Sequence, residues 1–244
     1  MVALLGGSNP KAREHAEGVL VRLSLEMTNR VLIIQQLVAM LFKAEMAARE
    51  QAAAAIANLA RESSANCSSI VDAGGIQPLL ALLETESAKA KESSASAIAQ
   101  LARGSRSTQD AITQAGGIPL LVAVLASSSS SKGDVSSQPL DANVTYAIWM
   151  LAKENTANQL ALAEAGVITP LVSMLGNASP ELQLPATGVI ECLLQSKDIQ
   201  AALSPNILAF EETAGCNRDR PYRVLRSNSN SKPSPHNRPW RVLR

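Results

Sequence analysis

Aromatic residues are scarce in this 244-residue chain: two Trp, two Tyr and two Phe, 2% of the whole. An all-β sandwich needs more rings than that. Helices in close contact pack well with Ala, Leu, Ile and Val, and 46% of the residues are hydrophobic. Cysteine numbers three, Cys67, Cys192 and Cys216, an odd count with no Cys-x-x-Cys spacing. That argues against a disulfide framework or a zinc site and predicts a reducing, intracellular compartment, cytoplasm or nucleus. The two histidines, His15 and His236, stand at opposite ends of the chain, without a nucleophile motif or a His-Glu-x-x-His pattern nearby. No catalytic residue, metal or cofactor is expected. The longest apolar run, residues 31–42, spans 12 residues and is broken by Gln35 and Gln36, too short to cross a bilayer. Behind Met1 there is no basic segment of the kind that leads a signal peptide, and Val2 is not the glycine that myristoylation requires.

Charge is balanced overall at +1 but not along the chain. Residues 215–244 hold eight Lys and Arg against Asp219 alone. Of the totals of 22 and 21, this leaves 14 basic and 20 acidic groups in residues 1–214, net −6. An acidic body with a basic tail predicts an electrostatic role for the tail, or a tail of separate origin.

What the chain has in abundance is repetition. A helix ending recurs as Val2-Ala-Leu-Leu5, Val38-Ala-Met-Leu41, Leu80-Ala-Leu-Leu83, Val122-Ala-Val-Leu125 and Val172-Ser-Met-Leu175, at spacings of 36, 42, 42 and 50. A second anchor, Leu23, Leu59, Leu101, Leu151 and Leu193, follows at an offset of 21 in four units and 29 in one. Two anchors that keep one offset define a repeat of about 40 residues. Each complete unit reads as three helices. A short first helix ends in Ala-Gly, at Gly74, Gly116 and Gly166, where glycine supplies the left-handed residue that stops a helix. A second helix carries a proline in its first turn, Pro78, Pro119 or Pro170, where the N–H has no intrahelical partner to lose. An Ala-rich third helix (52–60, 93–102, 144–152) sets Leu and Ile at three- and four-residue spacing.

This pattern resembles the armadillo repeat, best seen from Ala73-Gly-Gly-Ile-Gln-Pro-Leu-Leu-Ala-Leu-Leu83 through Ala95-Ser-Ala-Ile-Ala-Gln-Leu-Ala102. The resemblance covers about residues 2–208 and implies an all-α, right-handed solenoid of about four three-helix units, with residues 209–244 as a basic disordered tail. The first unit lacks its start, as in a fragment of a longer array. The unit at 27–62 retains only Met27-Thr-Asn-Arg30 of a first helix. A Ser-rich insert, 127–138, reads as a mobile loop between second and third helices. Pro180 and Pro185 are expected to interrupt the last third helix.

In relatives of the nuclear-import adaptor type, an Asn on each third helix clamps the backbone of an extended peptide and a Trp four residues earlier shapes side-chain pockets. The resemblance therefore implies a protein-binding scaffold whose concave groove is lined by Arg22, Asn58, Gln100, Tyr146 and Met150, the last ladder position being Cys192. Only Asn58 keeps the ladder residue and only Tyr146 is a ring. Three residues further on, Arg61, Arg103 and Lys153 form a candidate basic edge. They suit an acidic partner, or they offset helix dipoles in the last turn. Trp149 shares a helix face with Tyr146. A ligase reading would require a catalytic module that this sequence does not encode. The tail offers another class of function. Arg220-Pro-Tyr-Arg-Val-Leu-Arg226 and Arg238-Pro-Trp-Arg-Val-Leu-Arg244 differ at one position. Arginines interleaved with a ring suit nucleic acid or an anionic membrane surface.

Overall fold

The structure is a computed structural model. It describes residues 27–129, 138–175 and 180–195, with Lys11, His15, Ala16, Gly18 and Val19. Among the described residues there are eleven α-helices and no strand. They are α1 (Met27–Lys43), α2 (Met46–Glu62), α3 (Ser64–Asp72), α4 (Ile76–Leu83), α5 (Ala88–Gly104), α6 (Arg106–Gln114), α7 (Gly117–Ser129), α8 (Gln138–Ala152), α9 (Thr156–Glu164), α10 (Ile168–Leu175) and α11 (Pro180–Leu194). Arg22, most of the first unit and the basic tail lie outside the described residues.

Three complete units are present, α3–α5, α6–α8 and α9–α11, preceded by a two-helix unit, α1–α2. The third helices α2, α5, α8 and α11 pack each on the next, and the second helices α1, α4, α7 and α10 do the same in a separate layer. The core lies between the two layers. It contains Leu59, Leu101, Leu151 and Leu193 from the third helices and Leu41, Leu83 and Leu125 from the second, all buried.

Local chemistry explains the joints. Gly74, Gly116 and Gly166 all take positive φ, +77°, +84° and +75°. At the first of these turns Gly75 N–H donates to Ile70 O and Gly74 N–H to Val71 O, so the final carbonyls of α3 are satisfied. Pro78, Pro119 and Pro170 each stand third in their helix. After each third helix a polar residue caps the next first helix. Ser63 accepts from Ala65 N–H, Ser105 from Thr108 N–H and Asn155 from Asn158 N–H.

Three expectations change in detail. Met27–Arg30 is not a separate first helix but the start of one 17-residue helix, α1, because no Gly or Pro breaks the chain before Lys43. The insert does not begin at Ser127: α7 continues to Ser129, with Ser127 Oγ bonded to Val124 O at 2.8 Å. Only 130–137 lies outside the described residues there. Pro180 opens α11 instead of interrupting it, and Pro185 sits within a continuous helix. Pro180 stands where the N–H has no intrahelical partner to lose, whereas Pro185, sixth in the helix, forgoes its own bond to the preceding turn.

Candidate functional site

The aligned third helices bring the ladder positions of neighbouring units side by side. Asn58 on α2, Gln100 on α5 and Tyr146 on α8 are each half-buried. Met150 is 6% exposed and Cys192 is buried, so these two apolar side chains turn inward and offer the face little surface. Met150 contributes its carbonyl instead, which accepts from Gln109 Nε2 at 2.8 Å.

Gln100 is unusual among these residues. Its side-chain oxygen is buried and bonds no partner. A buried acceptor left unpaired costs about 1–3 kcal/mol. The terminal torsion of a glutamine is broad, so the amide can turn to meet an incoming N–H.

The basic edge is partly tied down. Arg61 Nη2 donates to Asn58 Oδ1 at 3.1 Å, and Arg103 Nη2 donates to Arg61 O at 3.2 Å. Arg103 thus caps the end of the preceding third helix, as expected for a cation beside terminal carbonyls. Arg61, Arg103 and Lys153 are nonetheless all exposed. Arg106, which the sequence reading passed over, performs a related task by donating to Glu154 O at 3.2 Å. Glu154 is in the left-handed region at φ 56°.

Toward α11 the face becomes apolar. Tyr146 and Trp149 meet edge to face, with centroids 6.0 Å apart and planes at 74°. The Trp149 ring lies over Gly188, where a Cβ would overlap it. Gly188 stands in the register of Tyr146 one unit earlier, and α8 supplies a ring over it from next door. Burial pushes the Cys192 thiol up, opposed by its hydrogen bond to Trp149. Leu184, which spacing arguments missed, stands on α11 one turn before Gly188 and is 66% exposed. No group of three or more potential metal ligands occurs among the described residues.

The armadillo/beta-catenin-like repeat family matches residues 63–103 and 155–191, which are α3–α5 and most of α9–α11. The chain carries armadillo repeats. Solved structures agree on the fold. A designed armadillo repeat protein, YIII(Dq)4CqI, is 24% identical with a TM-score of 0.69, covering 89% of this chain and 92% of its own. Another, YIII(Dq.V1)4CPAF in complex with the peptide (KR)4, is 23% identical with a TM-score of 0.69, covering 92% and 94%. A third, from computationally designed armadillo repeat proteins for modular peptide recognition, is 24% identical with a TM-score of 0.67, covering 92% and 93%. Among curated proteins none matches the sequence. Within this armadillo array no single helix of the described residues is long and apolar enough to cross a membrane.

Proposed function

We propose that this armadillo protein is a non-catalytic scaffold or adaptor that holds an extended peptide of a partner across α2, α5, α8 and α11. The observation that carries this reading is the unpartnered, buried amide oxygen of Gln100 at a ladder position. A peptide N–H is the donor it lacks. Repeat arrays present such extended surfaces, and two similar designed structures are described by the peptides they bind or recognise. The test is selection of displayed random dodecapeptides on the protein. The double change Tyr146→Ala with Gln100→Ala is expected to weaken the selected peptides about 30-fold, the equivalent of about 2 kcal/mol. Peptides that bind both proteins equally would move the site off this face.

A second reading rests on the duplicated Arg-Pro-ring-Arg-Val-Leu-Arg heptapeptide at 220–226 and 238–244, outside the described residues. On this reading the tail contacts single-stranded nucleic acid, with rings stacking on bases and arginines on phosphates. Binding of a fluorescent oligonucleotide should then fall steeply with salt and vanish when 215–244 is removed. Salt-independent binding would exclude it.

A further inference from the structure

We infer that the groove is bipartite and selects a peptide carrying an acidic pair and, about eight residues away, one apolar anchor. The inference rests on the groove reading above and adds the chemistry of the ligand.

The first half of the face is cationic in an unusual way. The side chains of Arg61 and Arg103 are held by neutral acceptors, the Asn58 amide oxygen and the Arg61 carbonyl. These bonds fix two exposed guanidinium groups in place without neutralising them, and each keeps further N–H donors for a carboxylate. The carboxylates of the same helices are elsewhere or engaged. Glu50 and Glu92 lie eleven residues earlier, roughly 16 Å along the helix axis. Glu50 accepts from Ser87 Oγ at 2.6 Å and Glu92 pairs with Lys89 at 3.2 Å. Glu62 follows Arg61 in sequence and so points about a quarter-turn away around α2. An acidic side chain at this edge gains two prepositioned partners.

The other half carries a single exposed cation, Lys153 on α8, with the exposed Glu191 of α11 also near Cys192, so it offers no pair of free cations. Tyr146 and Trp149 form one ring pair, anchored by the missing Cβ of Gly188. Leu184 occupies the register in which α2 and α5 carry Glu50 and Glu92. An exposed leucine beside half-buried rings is a surface for a single apolar side chain. From the α2–α5 seam to the α8–α11 seam is two helix spacings, roughly 20 Å at 8–10 Å each. Leu184 also stands roughly 16 Å along the helix axis from the register of Arg61 and Arg103, so the straight path is roughly 26 Å, and at about 3.3 Å per residue an extended peptide covers that in about eight residues.

Fluorescein-labelled 14-residue peptides, each with Asp-Asp and one Phe in a Ser/Gly background, test this by anisotropy on the full chain in 0.15 M salt, with separations of two to ten residues. Affinity is expected to peak at a separation of about eight, at least tenfold above a separation of two. Leu184→Asp should abolish the peak. Arg103→Glu should abolish it too, and a Lys-Lys peptide of the same spacing should recover binding to that variant. Arg103→Gln removes the charge on a shorter side chain, and its melting curve, read beside its binding, separates loss of the charge from loss of the bond to Arg61 O. A peptide drawn merely to charge elsewhere on the chain shows no optimum. Equal binding at all separations, still lost on Tyr146→Ala with Gln100→Ala, would overturn the bipartite inference and leave the groove intact. Equal binding that ignores that double change would overturn both.

Discussion

Single positions in this molecule divide into those that fill the core and those that shape the chain for it. Leu101 is fully buried on the central third helix α5. Leu101→Ala should cost roughly 2–5 kcal/mol in urea denaturation, because the stacked neighbours on both sides limit collapse of the cavity. Gly75 works by absence: a Cβ there would come within 2.8 Å of Ile70 Cγ2 and 2.9 Å of Ile70 O. The last unit tolerates Val167 at the equivalent place, where the turn bond to Leu162 O is 3.2 Å against 2.9 Å at Gly75. Gly75→Val is accordingly expected to destabilise by about 1–3 kcal/mol, the range of overpacked sites. Cys67 is buried beneath α5, and burial pushes its thiol pKa up, with the charge of Arg103 and a backbone hydrogen bond opposing. A raised folded-state value means the native protein holds the proton more tightly than the unfolded chain. This contribution is complete below the ordinary value of 9.0 and is lost as pH rises through the folded value. Stability should therefore fall less above pH 9 in Cys67→Ala than in the parent.

At the scale of elements, the joint between third and first helices repeats a polar device that the hydrophobic pattern hides. Asn66 Nδ2 donates to Leu59 O, Thr108 Oγ1 to Leu101 O and Asn158 Nδ2 to Leu151 O, at 2.7, 2.7 and 3.0 Å and always seven residues back. In each case the side chain satisfies a carbonyl at the end of a helix that turns into the next. The last joint is also tied across units, since Asn155 Nδ2 reaches Gln109 Oε1 at 3.1 Å and Asp110 Oδ1 at 2.9 Å. Thr108→Val removes the donor and keeps the shape, so chemical denaturation should report a loss of about 1–3 kcal/mol from the unpaired buried carbonyl. The Ser-rich insert makes the opposite case. Four residues, 84–87, suffice to join α4 to α5. Deleting 130–133 leaves four between α7 and α8, and the melting temperature should stay nearly unchanged. A large drop would show that the insert packs.

Across the whole array, each unit touches chiefly its neighbours, and stability is close to a sum of unit and interface terms. Leu59 and Leu151 lie two units apart, with α5 between them. Their alanine variants should add within about 0.5 kcal/mol when combined. Strong non-additivity would mean that the units do not unfold as nearest neighbours. Far-ultraviolet dichroism should show helix well above one-third of residues, and a β-dominated spectrum would contradict the fold.

The sequence by itself determined the architecture, because turn glycines, first-turn prolines and two anchors at constant offset are local signals that each unit repeats. It also set the register of the third helices: Asn58, Gln100, Met150 and Cys192 are equivalent positions, and Tyr146 stands one turn before that row. The tertiary structure decided what each side chain does there. Only packing could turn Met150 inward, draw Trp149 over Gly188, lend Arg103 to the carbonyl of Arg61 and leave the Gln100 oxygen without a partner. Each depends on a neighbour about forty residues away, brought close by helix stacking, and no local periodicity encodes which of the two surfaces wins.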